Sequence, residues 1–189
     1  MSDEENARQN HTNIIGNIPL LAAIAFIVSV GFAPGSIIAQ ETSEAIRKLA
    51  FLEGIWTGEA RHVAGRQTTS FTMNITVTKI AGSLGYYATG AANIPGVGTY
   101  SESNLFGYDA GKGLVHLFSV TATGETRDHA GRFDRNGNIT FRYEGKMNGK
   151  KYGEVIPMTI ISTTEFMFES TVTIGGKIVS GFSAKMRKG

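Results

Sequence analysis

The sequence predicts an all-β fold: an up-and-down antiparallel barrel of about ten strands with a short N-terminal capping helix, preceded by a hydrophobic leader helix. Three observations carry that prediction. Apolar residues recur with a period of two from Gly54 to the C-terminus. Turn-forming dipeptides break this pattern at hairpin spacing. One long uncharged stretch near the start follows neither a strand nor a soluble-helix pattern.

That stretch comes first. No Asp, Glu, Lys or Arg occurs between Gln9 and Gln40, and the run from Ile18 to Ala33 is almost wholly apolar. A core helix of a soluble domain carries polar residues on one face, and this run has no such face. Its length suits the core of a signal peptide or a short membrane span. Pro34-Gly35-Ser36 ends it, and Ala39 offers a cleavage position behind a bulky Ile37. Residues 1–39 are therefore expected to be a signal peptide or an N-terminal membrane anchor, and 40–189 the folded domain. The expected location is exported (periplasmic or extracellular), or membrane-anchored with the barrel outside the cytoplasm.

Ser43 to Phe51 reads as the short helix. Ser43 can cap the first turn, Ile46, Leu49 and Ala50 share a face, and Gly54 stops it. Strands are expected to begin near Ile55, Gln67, Leu84, Thr99, Leu114, Thr126, Ile139, Lys150, Glu165 and Lys177. Phe71, Met73, Ile75 and Val77 alternate with Thr72, Asn74, Thr76 and Thr78. Phe166, Phe168, Val172 and Ile174 share a parity with Ser170. Each run thus has one apolar and one mixed face, as half-buried antiparallel strands require. Asn136-Gly137, Asn148-Gly149 and Gly175-Gly176 supply the positive φ angles of two-residue hairpins. Consecutive hairpins without intervening helices leave a meander barrel or a two-sheet sandwich, and closure favours the barrel because it removes edge strands.

Composition excludes several function classes. The chain has 189 residues, 24 glycines, no cysteine and a formal net charge of +2. Without cysteine there is no disulfide, thiol nucleophile or cysteine-held zinc. The basic residues are scattered, with Lys146, Lys150 and Lys151 at a hairpin tip. Nucleic-acid binding is not expected from such a distribution. No nucleophile elbow, phosphate loop, dinucleotide fingerprint or metalloprotease helix occurs.

The segment Leu49-Ala50-Phe51-Leu52-Glu53-Gly54-Ile55-Trp56-Thr57-Gly58 resembles the opening of calycin-type barrels, where a short helix runs into a Gly-x-Trp strand. With Phe106-Gly107-Tyr108-Asp109, it is similar to uncharacterised bacterial domains of this kind. The resemblance implies the architecture of lipocalins, fatty-acid-binding proteins and nitrobindin, and a pocket for an apolar or amphipathic ligand. It also implies a structural role for Trp56, stacked under a basic side chain of the last strand, for which Arg187 is the candidate. Nitrobindin-type barrels bind haem through a late histidine. No histidine follows Lys150, so no cofactor is expected.

The candidate ligand-binding residues follow from strand parity. Glu102 shares a parity with Tyr100, Phe106 and Tyr108, which puts a carboxylate among aromatics. His116 and Phe118 share the other parity of a strand whose two faces are both apolar, so His116 is a candidate cavity residue or an outer-wall imidazole. Arg132 and Tyr143 lie on consecutive strands. An interior arginine and tyrosine hold the ligand carboxylate in fatty-acid-binding proteins, although exposure is the ordinary state of arginine. Asp128 and His129 are adjacent on one strand, hence on opposite faces, and do not form a catalytic pair. The histidines are too far apart in sequence for a local metal motif, and no metal is expected. The leading expectation is an extracytoplasmic binding protein for a hydrophobic or amphipathic small molecule. The alternatives are a filled, ligand-free interaction barrel or a small barrel isomerase or hydrolase built on Glu102 and His116.

Overall fold

The computed structural model describes residues 44–189, which lie within a single compact unit. The leader assigned to residues 1–39 falls outside the described residues. Helix α1 (Glu44–Lys48) runs into a 3-10 turn (Leu49–Leu52). Ten strands follow: β1 (Gly54–Ala64), β2 (Gln67–Ile80), β3 (Gly85–Ile94), β4 (Gly98–Asp109), β5 (Leu114–Thr121), β6 (Thr126–Phe133), β7 (Ile139–Met147), β8 (Lys150–Ser162), β9 (Glu165–Ile174) and β10 (Lys177–Lys188). Each pairs antiparallel with its sequence neighbours, and β1 pairs with β10, so the meander closes into a barrel. This is the predicted fold, and the sandwich alternative is excluded by closure.

Two of the three expected two-residue turns form, whereas Asn136-Gly137 lies in a five-residue connection, 134–138, in which Gly137 alone has positive φ. Asn148 and Gly149 both have positive φ, 50° and 76°, as do Gly175 and Gly176, 58° and 80°. Those signs match the right-handed twist of flanking strands, so two residues suffice to reverse the chain. At Gly58 the demand is steric instead. A Cβ there would lie 2.1 Å from the Lys185 carbonyl oxygen and 2.7 Å from Met186 Sδ. Strand β10 can approach β1 this closely only because that residue has no side chain.

Alternation sorts the side chains between the inside and outside of the barrel. At the helix end the interior is filled. Trp56, Phe166, Phe141, Ile139 and Met186 are all buried there, together with Ile46, Leu49 and Leu52 from the capping segment. The Trp56 ring, 0 % exposed, stands edge-on to Phe166 at 4.7 Å and to Phe51 at 6.5 Å. Its indole N–H donates to the Leu52 carbonyl at 2.7 Å, which satisfies a backbone oxygen left open where the 3-10 turn ends. The capping segment is thereby fixed to the first strand by that strand's third residue.

The basic partner of Trp56 is Lys188, not Arg187. Lys188 Nζ lies 5.1 Å from the indole centroid and also donates to the Phe51 carbonyl at 3.4 Å. Arg187 has the opposite parity in β10 and reaches outward to Glu165. The expectation chose the wrong neighbour because Ala184 and Met186 already occupy the inward parity, which only Lys188 extends.

Candidate functional site

Away from the helix end, the interior changes character. Inward-facing Tyr100, Glu102, Tyr143, Phe168, Ser170, Val172 and Phe182 are only half-buried. These inward side chains keep partial solvent access, unlike those at the helix end. The bulky aromatics divide accordingly. Phe141 and Phe166 pack near the cap, Phe118 points outward, and Phe71, Phe168 and Phe182 stack along one side. Small inward residues on β1 and β3, namely Ala60, Gly90 and Ala92, leave room for larger neighbours, and the space over Gly90 is taken by Glu102 and Met73.

The lumen wall has two faces. Phe71, Met73, Phe168 and Phe182, on β2, β9 and β10, make it apolar. Strands β4 to β9 make the rest polar, and Glu154 is the centre of that face. Its Oε2 accepts from Arg127 Nη1 at 2.8 Å, from Tyr152 Oη at 3.2 Å and from His129 Nε2 at 3.2 Å, while Oε1 accepts from Ser170 Oγ at 2.7 Å. Arg127 spans to Glu154 over β7, is also paired to Glu125, and lies 4.9 Å from the Tyr152 ring centroid. His129, 2 % exposed, packs its ring 5.5 Å from Tyr143 and turns Nδ1 toward the Leu117 carbonyl.

Opposing forces set the ionisation of this cluster. Burial raises the pKa of Glu154, but the hydrogen bonds from His129 and Ser170 and the Arg127 charge outweigh it and hold the carboxyl at about 2. Burial and the Glu154 charge both push the Tyr152 phenol well above its ordinary value. Tyr152 therefore remains a neutral donor. The cluster is a satisfied ionic network, which is the only way so many polar groups can lie inside a barrel.

Beside it, Tyr100 Oη donates to Glu102 Oε2 at 2.9 Å. Burial and the Glu102 charge raise the Tyr100 pKa far above the ordinary phenol range, and the Arg127 and Glu154 charges also act on it. The two groups of residues therefore share one electrostatic field. Glu102 faces inward: a Cβ built on Gly90 would meet Glu102 Cγ at 3.0 Å and Met73 Cε at 3.0 Å.

The sequence-derived candidates divide between the two sides of the wall. Glu102 and Tyr143 face the lumen, and Tyr108 shares their inward parity but packs against the core at the cap end. His116, Phe118 and Arg132 face outward, so the structure corrects these three assignments. Val115 and Leu117 take the inward parity of β5, which leaves His116 and Phe118 outside. His116 Nδ1 lies 2.8 Å from Asp128 on the outer wall, and Phe118 is 38 % exposed. Arg132 extends over the surface and donates to the Lys112 carbonyl at 2.7 Å. Glu102 and His116 consequently lie on opposite sides of the wall and form no acid–base pair. His62 has the inward parity of β1 and meets Ser180 Oγ at 3.0 Å.

The residues missed by sequence reasoning are Arg127, His129, Tyr152, Glu154 and Ser170. One signal was present: Glu154 shares the parity of Tyr152, Ile156 and Met158. A carboxylate on the apolar parity of a strand demands an interior partner. The partner's identity depends on contacts across separate strands, which parity alone does not give. Among the described residues, no group of three or more His, Asp or Glu side chains is placed to hold a metal ion.

No protein-family model and no curated protein matches this sequence. Solved structures similar in fold include the following two. The crystal structure of Rv2717c from M. tuberculosis superposes with a TM-score of 0.60 at 15 % identity, covering 79 % of this chain and 99 % of that one. The S-type phycobiliprotein lyase CPES from Guillardia theta superposes with a TM-score of 0.55 at 10 % identity, covering 76 % and 91 %. At these identities the likeness concerns architecture alone. In fold, residues 44–189 are a calycin-like antiparallel barrel of ten strands.

Proposed function

We propose that this protein binds an amphipathic small molecule in the open half of its barrel. The observation that carries the reading is the contrast along the barrel axis. Inward side chains are sealed at the cap end, whereas beyond it buried ones such as Phe71, His129 and Glu154 alternate with partly solvent-accessible ones such as Glu102, Tyr143, Phe168 and Phe182. A barrel filled for stability alone would bury both halves. The two-faced wall adds chemistry: an apolar body fits against Phe71, Phe168 and Phe182, and a polar end fits toward Glu102 and the Glu154 cluster. That one structural neighbour is named as a phycobiliprotein lyase adds an analogy of fold. The apolar, uncharged run before Gln40 supports a place outside the cytoplasm, reached by export or by anchoring.

Native mass spectrometry of the purified full chain, followed by solvent extraction, tests the binding reading. The expected result is a reproducible co-purifying small molecule, or uptake of one lipid-like molecule per chain from a panel. A bare mass with no uptake from any member overturns it. Sequencing the mature N-terminus tests the proposed location: cleavage near Ala39, or recovery of the intact chain in the membrane fraction, is the expected result. An intact chain recovered only from the cytoplasm contradicts it.

A further inference from the structure

We propose that the polar end of the ligand is a hydrogen-bonding cation, a primary or secondary ammonium, and that Glu102 receives it. This inference rests on the lumen being a binding site, as argued above, and adds the charge of what enters.

The charges inside the wall decide which head group fits. Arg127 is already paired with two carboxylates, Glu125 and Glu154. Glu154 is already the acceptor for Arg127, His129, Tyr152 and Ser170. Neither group has capacity left for a charged ligand. Glu102 differs. Among the described residues its hydrogen-bond partner is the Tyr100 hydroxyl, and no cation lies within ion-pair distance of it. Its Oε2 takes the Tyr100 proton, while Oε1 lies over Gly90, 3.1 Å from where a Cβ would stand. The absent side chain at Gly90 leaves this oxygen its space beside Met73, at the border of the apolar face.

A ligand that covers Glu102 takes water away from a carboxylate. A neutral polar end leaves that charge uncompensated, and a carboxylate or sulfate adds a second negative charge beside it. An ammonium compensates the charge and donates to Oε1, forming a charge-assisted hydrogen bond in a site shielded from solvent. An N–H donor can also use the lone pairs of Tyr100 Oη, since that hydroxyl spends its proton on Glu102. The specificity this predicts is opposite to that of an arginine-tyrosine carboxylate clamp, because the lumen arginine is neutralised and the residual charge is negative.

The test keeps the apolar body constant and changes the head. Decylamine, decanol and decanoate are titrated at neutral pH into the full chain, with binding read by displacement of the neutral dye Nile red. Decylamine is expected to bind about tenfold more tightly than decanol, with decanoate weakest. The isosteric change Glu102→Gln is expected to bring decylamine to within about twofold of decanol measured on the same variant. Decanoate binding as tightly as decylamine overturns the assignment, as does an amine preference that survives Glu102→Gln. Decanol bound with no amine preference refutes the head-group assignment and leaves the binding barrel standing. Failure of the dye and all three probes to bind the native chain refutes both.

Discussion

Arg127 Nη1 and Glu154 Oε2 meet at 2.8 Å inside the barrel, joining β6 to β8 over the strand between them. The Glu154 side chain is 10 % exposed and that of Arg127 18 %. Backbone ladders hold neighbouring strands together. This pair adds a link between strands that share no ladder, and the Ser170 hydroxyl extends it to β9. The polar face of the lumen is therefore also a brace, and disturbing it disturbs both shape and binding.

Replacing Glu154 with Gln is expected to destabilise the barrel by about 3 kcal/mol at neutral pH. Arg127 then loses its buried partner and retains Glu125, which keeps the loss at the lower end for broken buried pairs. The pH dependence has a definite sign. The carboxyl is held at about 2, below its ordinary 4.5, so its stabilisation is complete above about pH 4.5 and lost as pH falls toward 2. Urea midpoints of the native chain and the variant should converge over that interval. A gap that stays constant from neutral pH to pH 2 contradicts this account of Glu154.

At the capped end, Lys188→Met is expected to cost about 1 kcal/mol through loss of the cation over the Trp56 ring. Arg187→Met is expected to be close to neutral, because Arg187 faces solvent with Glu165. Trp56→Ala should cost about 3–5 kcal/mol, since it empties a fully buried indole site and frees the Leu52 carbonyl. Thermal unfolding monitored by far-ultraviolet circular dichroism checks all three variants. Equal losses at Lys188 and Arg187 would show that the indole has no preferred cation.

A single methyl group tests barrel closure. Gly58→Ala places its Cβ against the Lys185 carbonyl, where β1 meets β10. The expected destabilisation is about 3 kcal/mol, at the upper end for overpacking, because the obstructing atom belongs to the backbone and cannot rotate away. Hydrogen exchange should show the earliest opening along the β1–β10 ladder. An alanine variant as stable as the native chain would contradict the close approach.

How much of this was legible beforehand depended on range. The strands were readable because each apolar alternation lies within one segment, and their starts fell within one residue of Ile55, Leu84 and Thr99. The capping helix was readable from Ile46 and Leu49 on one face, although its last turn tightens to a 3-10 geometry. The site was harder to see. Glu102 emerged because Tyr100, Phe106 and Tyr108 share its parity locally. His116 was ambiguous because both faces of β5 carry apolar residues, Val115 and Leu117 on one and Phe118 and Val120 on the other. Glu154 gained its meaning only from Arg127, His129 and Ser170, which sit 27, 25 and 16 residues away and converge through the pairing of β6 to β9 into one wall.

The outer-wall pair provides a control. His116→Ala with Asp128→Ala should leave ligand uptake unchanged and stability within about 1 kcal/mol, since Asp128 is 53 % exposed and the pair lies outside the lumen. Uptake measured beside Glu102→Gln gives the comparison. Loss of binding in the outer-wall variant would contradict a site inside the barrel.

The most direct test of the central claim is a Nile red titration of the native chain against Val172→Trp, which adds an indole to the half-buried part of the lumen next to Ser180 and Glu154. The native chain should bind one dye per molecule with a saturable, blue-shifted signal. The variant, shown by cooperative unfolding to be folded, should lose that signal. Saturable binding that survives unchanged in the filled barrel, or no saturable binding in the native one, would contradict the account.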